Sequence, residues 1–189
     1  MESTRSKHDI FIVADDLGLH WSVNDGIIFL LQEGKINGTS LMANGEAFDA
    51  AVNKINEYRL SNIGIHFVVV EERSLSGMSL PKNHRTFFIK YALGLIKLPD
   101  IEKEMRAQLD KIINAGIKPS FINSHQHLHL LPGILDIAIK LAKEFNIPYI
   151  RIVNEPISLG KGKFFRQAQL LFLRFLSQIA KNKIKKAGL

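Results

Sequence analysis

Short apolar, β-branched runs alternate along this chain with segments of helical period, and that alternation limits the fold more than any other feature. Residues 8–14 (HDIFIVA), 39–43 (TSLMA), 62–70 (NIGIHFVVV), 120–124 (SFINS) and 149–153 (YIRIV) read as strands. Between them, residues 23–33, 46–58, 86–115 and 132–145 carry apolar side chains at helical spacing. Ser22 is the expected cap of the first helix and Gly34 its close; the third helix is expected to break at Pro99-Asp100. Residues 71–86, with Gly77 and Pro81, read as a loop. Strand–helix alternation predicts an α/β fold with a parallel sheet and crossover helices. A closed barrel needs eight such units, so five strands predict an incomplete barrel or an open sheet.

The 189 residues suit a single domain spanning 1–189, enough to bury roughly 70% of the unfolded surface. There are no cysteines, which excludes disulfides, thiolate metal sites and a cysteine nucleophile. Residues 1–10 are polar and charged with no apolar h-region, and no stretch reaches about 18 apolar residues. A cytoplasmic protein is therefore expected. The net charge of +7 is local: residues 161–189 hold eight basic and no acidic side chains, leaving 17 Lys/Arg against 18 Asp/Glu elsewhere. A basic tail on a balanced body does not predict a nucleic-acid surface.

Three clusters fall at or just past the carboxyl ends of the expected strands, where α/β folds assemble sites. Asp15-Asp16 follows the first strand. The pair is read either as a turn with a helix cap or as one metal ligand beside one general base, since adjacent side chains diverge in extended backbone and an ion relieves their repulsion. His66 lies within an apolar strand, where a lone histidine is more often a satisfied core residue; it gains weight only beside the other clusters. His125, His127 and His129 alternate with Gln126 and Leu128, so an extended backbone would direct all three to one face. Three of seven histidines within five residues point to a divalent metal. HExxH and paired-cysteine zinc patterns are absent.

In order and spacing, four segments resemble the YdjC-like (ChbG/HpnK) carbohydrate deacetylase family: IVADDLGL at 12–19, VNDGI at 23–27, GIHF at 64–67 and NSHQHLH at 123–129 with Pro132. The short RIVNEP at 151–156 is similar to the hopanoid-associated branch, and the resemblance spans residues 9–156. It implies an irregular TIM-barrel-like (β/α) fold and removal of acetyl groups from N-acetylated sugars such as chito-oligosaccharides or related glycolipids. It assigns the metal to Asp16, His66 and His125 and the catalytic carboxylate to Asp15, and leaves His127 and His129 to the substrate pocket. Magnesium is the metal the family implies, although an Asp-His-His set suits zinc equally by ligand type.

The chain departs from the family pattern in one respect. Members continue further and carry a His-Pro motif near the C-terminus, a source for the general acid; here no histidine follows His129. Either His127 or His129 serves as the substitute acid, or the chain lacks its C-terminal portion; the second is the expectation. Residues 164–179 (FFRQAQLLFLRFLSQI) read first as a helix of the barrel wall and second as a basic amphipathic helix in peripheral contact with an anionic membrane. An apolar surface left there predicts homo-oligomers. Against the deacetylase stand two alternatives, a metal-dependent hydrolase of another class, such as phosphoesters, and a metal- or sugar-binding remnant without turnover. The motifs lack the Arg/Lys or Gly-rich loops that phosphate pockets use, which disfavours the phosphoester reading.

Overall fold

A computed structural model describes residues 10–154 and 164–189. The strands are β1 (Val13–Leu17), β2 (Gly38–Leu41), β3 (Ile63–Phe67) and β4 (Ile122–Ser124). The helices are α1 (Trp21–Gln32), α2 (Phe48–Glu57), α3 (His84–Ala92), α4 (Leu98–Asn114), α5 (Ile134–Glu144) and α6 (Phe164–Lys186), with a 3₁₀ segment at His125–Leu130. The four strands pair in sequence order, all parallel, as the alternation of elements predicts.

The expected fifth strand at 149–153 is reduced to a single parallel bridge, Ile122 with Ile150. Pro148 lacks the N–H that a ladder needs, which leaves little to pair ahead of Tyr149. The described residues therefore form a parallel sheet with a rudimentary fifth position. The third helix breaks earlier than expected. Gly94, at φ 67°, ends α3, and Pro99 sits in the first turn of α4, where its missing N–H costs nothing. His20, not Ser22, caps α1, its side chain accepting from Ser22 N–H.

The strands present Leu17, Leu41, Ile65, Phe67 and Ile122 to the core, each at most 1% exposed. On α4, Ile101, Met105, Leu109 and Ile112 recur at helical spacing and face the same core; Leu135, Ala138, Leu141 and Ala142 do so on α5. Each large side chain of this kind contributes roughly 1.5–3 kcal/mol on burial. The expected tail helix extends to Lys186 and packs into the core through Leu176, Ala180 and Ile184, while Leu171, Phe172 and Phe175 are exposed. No helix among the described residues is long and apolar enough to cross a membrane.

The turn after β1 is fixed by Asn24 of the VNDGI segment. It is 1% exposed, accepts Gly18 N–H at 2.7 Å and donates to the Ala47 carbonyl at 3.0 Å. The backbones of Gly18 and Gly45 meet there so closely that a Cβ on Gly45 would lie 2.1 Å from the Gly18 oxygen. Only glycine at 45 allows the approach.

Candidate metal centre at the carboxyl edge of the sheet

β1 does not end before the aspartates. Pairing with β2 continues to Leu17, with a register shift between Ala14 and Leu17, and Asp16 takes left-handed backbone at φ 68°. Aspartate is one of the few side chains that enters this region readily. In a regular strand Asp15 and Asp16 would point to opposite faces. Across the bulge both line one cavity of about 770 Å³, together with His66, His125 and His127.

His66, on β3 and 2% exposed, places Nε2 3.0 Å from Asp16 Oδ1, and His125, just past β4, places Nδ1 3.3 Å from the same oxygen. Ligand atoms from Asp16, His66 and His125 all lie within 4.8 Å of one another. The His125 imidazole, and after it that of His66, holds the Asp16 carboxyl well below the usual carboxylate range. Asp16 in turn pushes His125 up, against the opposing effect of burial.

These residues fit a divalent ion on two counts. First, His66 Nε2 is buried yet makes no hydrogen bond, despite its 3.0 Å approach to Asp16, so its lone pair points past the oxygen. Second, its tautomer is dictated by Asn123. The Asp15 carboxylate can only accept, so the Asn123 atom 2.8 Å from Asp15 Oδ1 is the amide nitrogen, and the amide oxygen faces His66 Nδ1 at 2.8 Å. Nδ1 therefore carries the hydrogen and Nε2 is the free ligand atom.

Asp15 is held by three donors: Ser40 Oγ at 2.9 Å and Asn123 Nδ2 at 2.8 Å on Oδ1, and Arg151 at 2.7 Å on Oδ2. Ser40, Asn123 and Arg151 were not singled out by the residue patterns as site residues. Ser40 is one of two polar residues fully buried in β2, and that burial is the signal available for it.

The three histidines of 125–129 do not share a face. Gln126 and His127 take left-handed backbone, φ 56° and 55°, and the segment winds into a 3₁₀ turn. His125 turns to Asp16 and His127 lines the cavity. His129 turns into the core at 1% exposure, where Ser124 Oγ meets Nδ1 at 2.6 Å and Nε2–H donates to the Arg151 carbonyl at 2.8 Å. Burial pushes its pKa down to about 4. A neutral, doubly bonded ring there joins the 3₁₀ turn to residue 151, away from the cavity placed at first for it.

Fold and site together define an α/β protein that gathers an Asp-His-His cluster suited to a divalent ion at the carboxyl edge of a parallel sheet. The chain belongs to the YdjC-like protein family, whose model matches residues 9–189. It is similar to a carbohydrate deacetylase from Clostridium beijerinckii, 35% identical over an alignment of 152 residues that covers 75% of this chain and 60% of that relative. A carbohydrate deacetylase from Brevibacillus brevis is 36% identical over 142 residues, 74% of this chain and 57% of its own length. The chain thus spans about 60% of the length of these curated relatives. The fold matches a crystal structure of a candidate cellobiose-phosphate cleavage protein from Enterococcus faecalis, with TM-score 0.66 and 21% identity, covering 84% of this chain and 63% of that one.

Proposed function

We propose that this chain removes acetyl groups from N-acetylated sugars by metal-assisted hydrolysis of the amide. The observation that carries the reading is the placement of Asp15, a carboxylate held by Arg151, in one cavity with the Asp16, His66 and His125 cluster. The carbohydrate deacetylases among its relatives supply the bond and the substrate class.

Asp16 Oδ1, His66 Nε2 and His125 Nδ1 would hold the ion. When bound, a divalent ion supplies polarisation of the amide carbonyl and a water of lowered pKa. Asp15 takes the proton of the attacking water as general base. Arg151 and Asn123 keep its carboxylate oriented. The hydroxyl joins the carbonyl carbon, the C–N bond breaks, and the amine leaves with a proton. His127 at the cavity wall is the side chain we assign to that donation.

Acetate release from N,N′-diacetylchitobiose tests the reading, with EDTA and then with Mg²⁺ or Zn²⁺ restored. Release that EDTA abolishes and a metal restores is expected. Turnover of p-nitrophenyl phosphate in its place would assign a phosphoester hydrolase, and metal binding without either product would assign a binding protein.

A further inference from the structure

The loop after β3 carries a carboxylate that the mechanism above does not use. Glu71 follows the buried residues 68–70 and takes left-handed backbone at φ 72°. Glutamate is rarely found there, and such strain persists only where the surroundings impose it.

The surroundings here are α4 and the far side of the loop. Gln108 accepts Val68 N–H at 3.0 Å and donates to the Val68 carbonyl at 2.6 Å. Glu104, one turn earlier and fully buried, accepts Leu75 N–H at 3.0 Å and Ser76 N–H at 2.8 Å, and receives Gln108 Nε2–H at 2.7 Å. Glu71 itself donates its N–H to the Pro81 carbonyl at 2.8 Å. The chain is thus fixed on both sides of the strained residue by the same helix. What that fixation delivers is a carboxylate oxygen, Glu71 Oε2, 3.3 Å from His125 Nε2, with Oε1 4.0 Å from His84 Nδ1.

We propose that Glu71 is a positioning residue for the metal centre, its carboxylate accepting His125 Nε2–H so that Nδ1 turns its lone pair to the ion shared with Asp16 and His66. This rests on the assignment of Asp16, His66 and His125 as ligands. Both ring nitrogens face carboxylates at 3.3 Å, Nδ1 that of Asp16 and Nε2 that of Glu71; Asp16 belongs to the ligand cluster and Glu71 does not, so with the ion present Nδ1 gives its lone pair and Nε2–H is left to Glu71. Asn123 does the same for His66 from the opposite ring nitrogen. The two imidazoles then offer different atoms, Nε2 from β3 and Nδ1 from the 3₁₀ turn, each oriented by its own acceptor.

The test uses the full chain as Glu71→Ala and Glu71→Gln, stripped of metal and titrated with Co²⁺. Affinity is read by calorimetry and by the visible d–d bands, and the metal-free fold by thermal melting. Glu71→Ala is expected to bind Co²⁺ about 10–100-fold more weakly, with altered bands. Glu71→Gln keeps an acceptor oxygen and is expected to lose less, with the melting temperature of the wild type. Wild-type affinity in Glu71→Ala overturns the inference alone. So does a loss in both variants that parallels collapse of the metal-free fold. A wild-type protein that binds no Co²⁺ overturns the ligand assignment first, and this inference with it.

Discussion

Arg151 and Asp15 stand 136 residues apart in sequence, and the guanidinium reaches the carboxylate at 2.7 Å. The contact ties the segment after α5 to the bulge of β1. An arginine so placed fixes the direction of the proposed base. Arg151→Met is therefore expected to lower kcat by about 10²-fold, the scale of a 1 Å misplacement, while leaving KM and Co²⁺ affinity near wild type. Steady-state kinetics with a metal titration check this; an unchanged kcat would remove Arg151 from the mechanism.

The aspartates should separate by role. Asp15→Asn is expected to lose about 10²–10⁴-fold in turnover and keep its metal. Asp16→Asn is expected to lose metal affinity first. Metal content by atomic emission, beside acetate release, tells the two apart. The opposite pattern would exchange the roles.

Asn123→Leu removes the amide that sets the His66 tautomer and one of the donors to Asp15. Metal affinity about 10–100-fold weaker is expected, and turnover at saturating metal should fall as well. Calorimetry with Zn²⁺ measures the first effect. Full affinity would show that His66 keeps its ligand tautomer without Asn123.

His129 gives a pH signature of its own. Its folded pKa is lowered to about 4 from 6.5, so the unfolded chain binds the extra proton between those values. Its contribution is fully present above about pH 6.5 and is lost as pH falls towards 4, a change of about 3 kcal/mol in all. His129→Gln should flatten that part of the stability curve in urea titrations from pH 7 to 4. A slope equal to that of the wild type would mean the proton is taken up elsewhere.

What the sequence revealed and what it hid follow from the range of each interaction. Strand–helix alternation is local, and it predicted the parallel pairing of β1 to β4. The separate clusters at Asp16, His66 and His125 were visible because each lies at or beside the end of an apolar run, and the sheet brings those ends together. The winding of residues 125–130 was not visible. Left-handed backbone at Gln126 and His127 carries no glycine or asparagine to announce it, so an extended reading placed three rings on one face. Arg151, Asn123 and Glu71 acquire meaning only through partners 136, 108 and 54 residues away. The end of α3 was hidden for the opposite reason: Pro99 drew attention as a breaker where it is a starter, and Gly94 was the stop.

The bulge in β1 puts the chain's bend and its charge on the same residue. Position 16 must accept left-handed backbone and must also present a short carboxylate, and aspartate alone among the common side chains does both with ease. Glutamate would keep the charge but resist the bend and overshoot by a methylene. Asparagine would keep the bend and surrender the charge. A substitution scored as conservative by charge therefore still meets the bend as an obstacle, and any attempt to transplant the Asp15-Asp16 pair onto a regular strand would send the two carboxylates to opposite sides of the sheet.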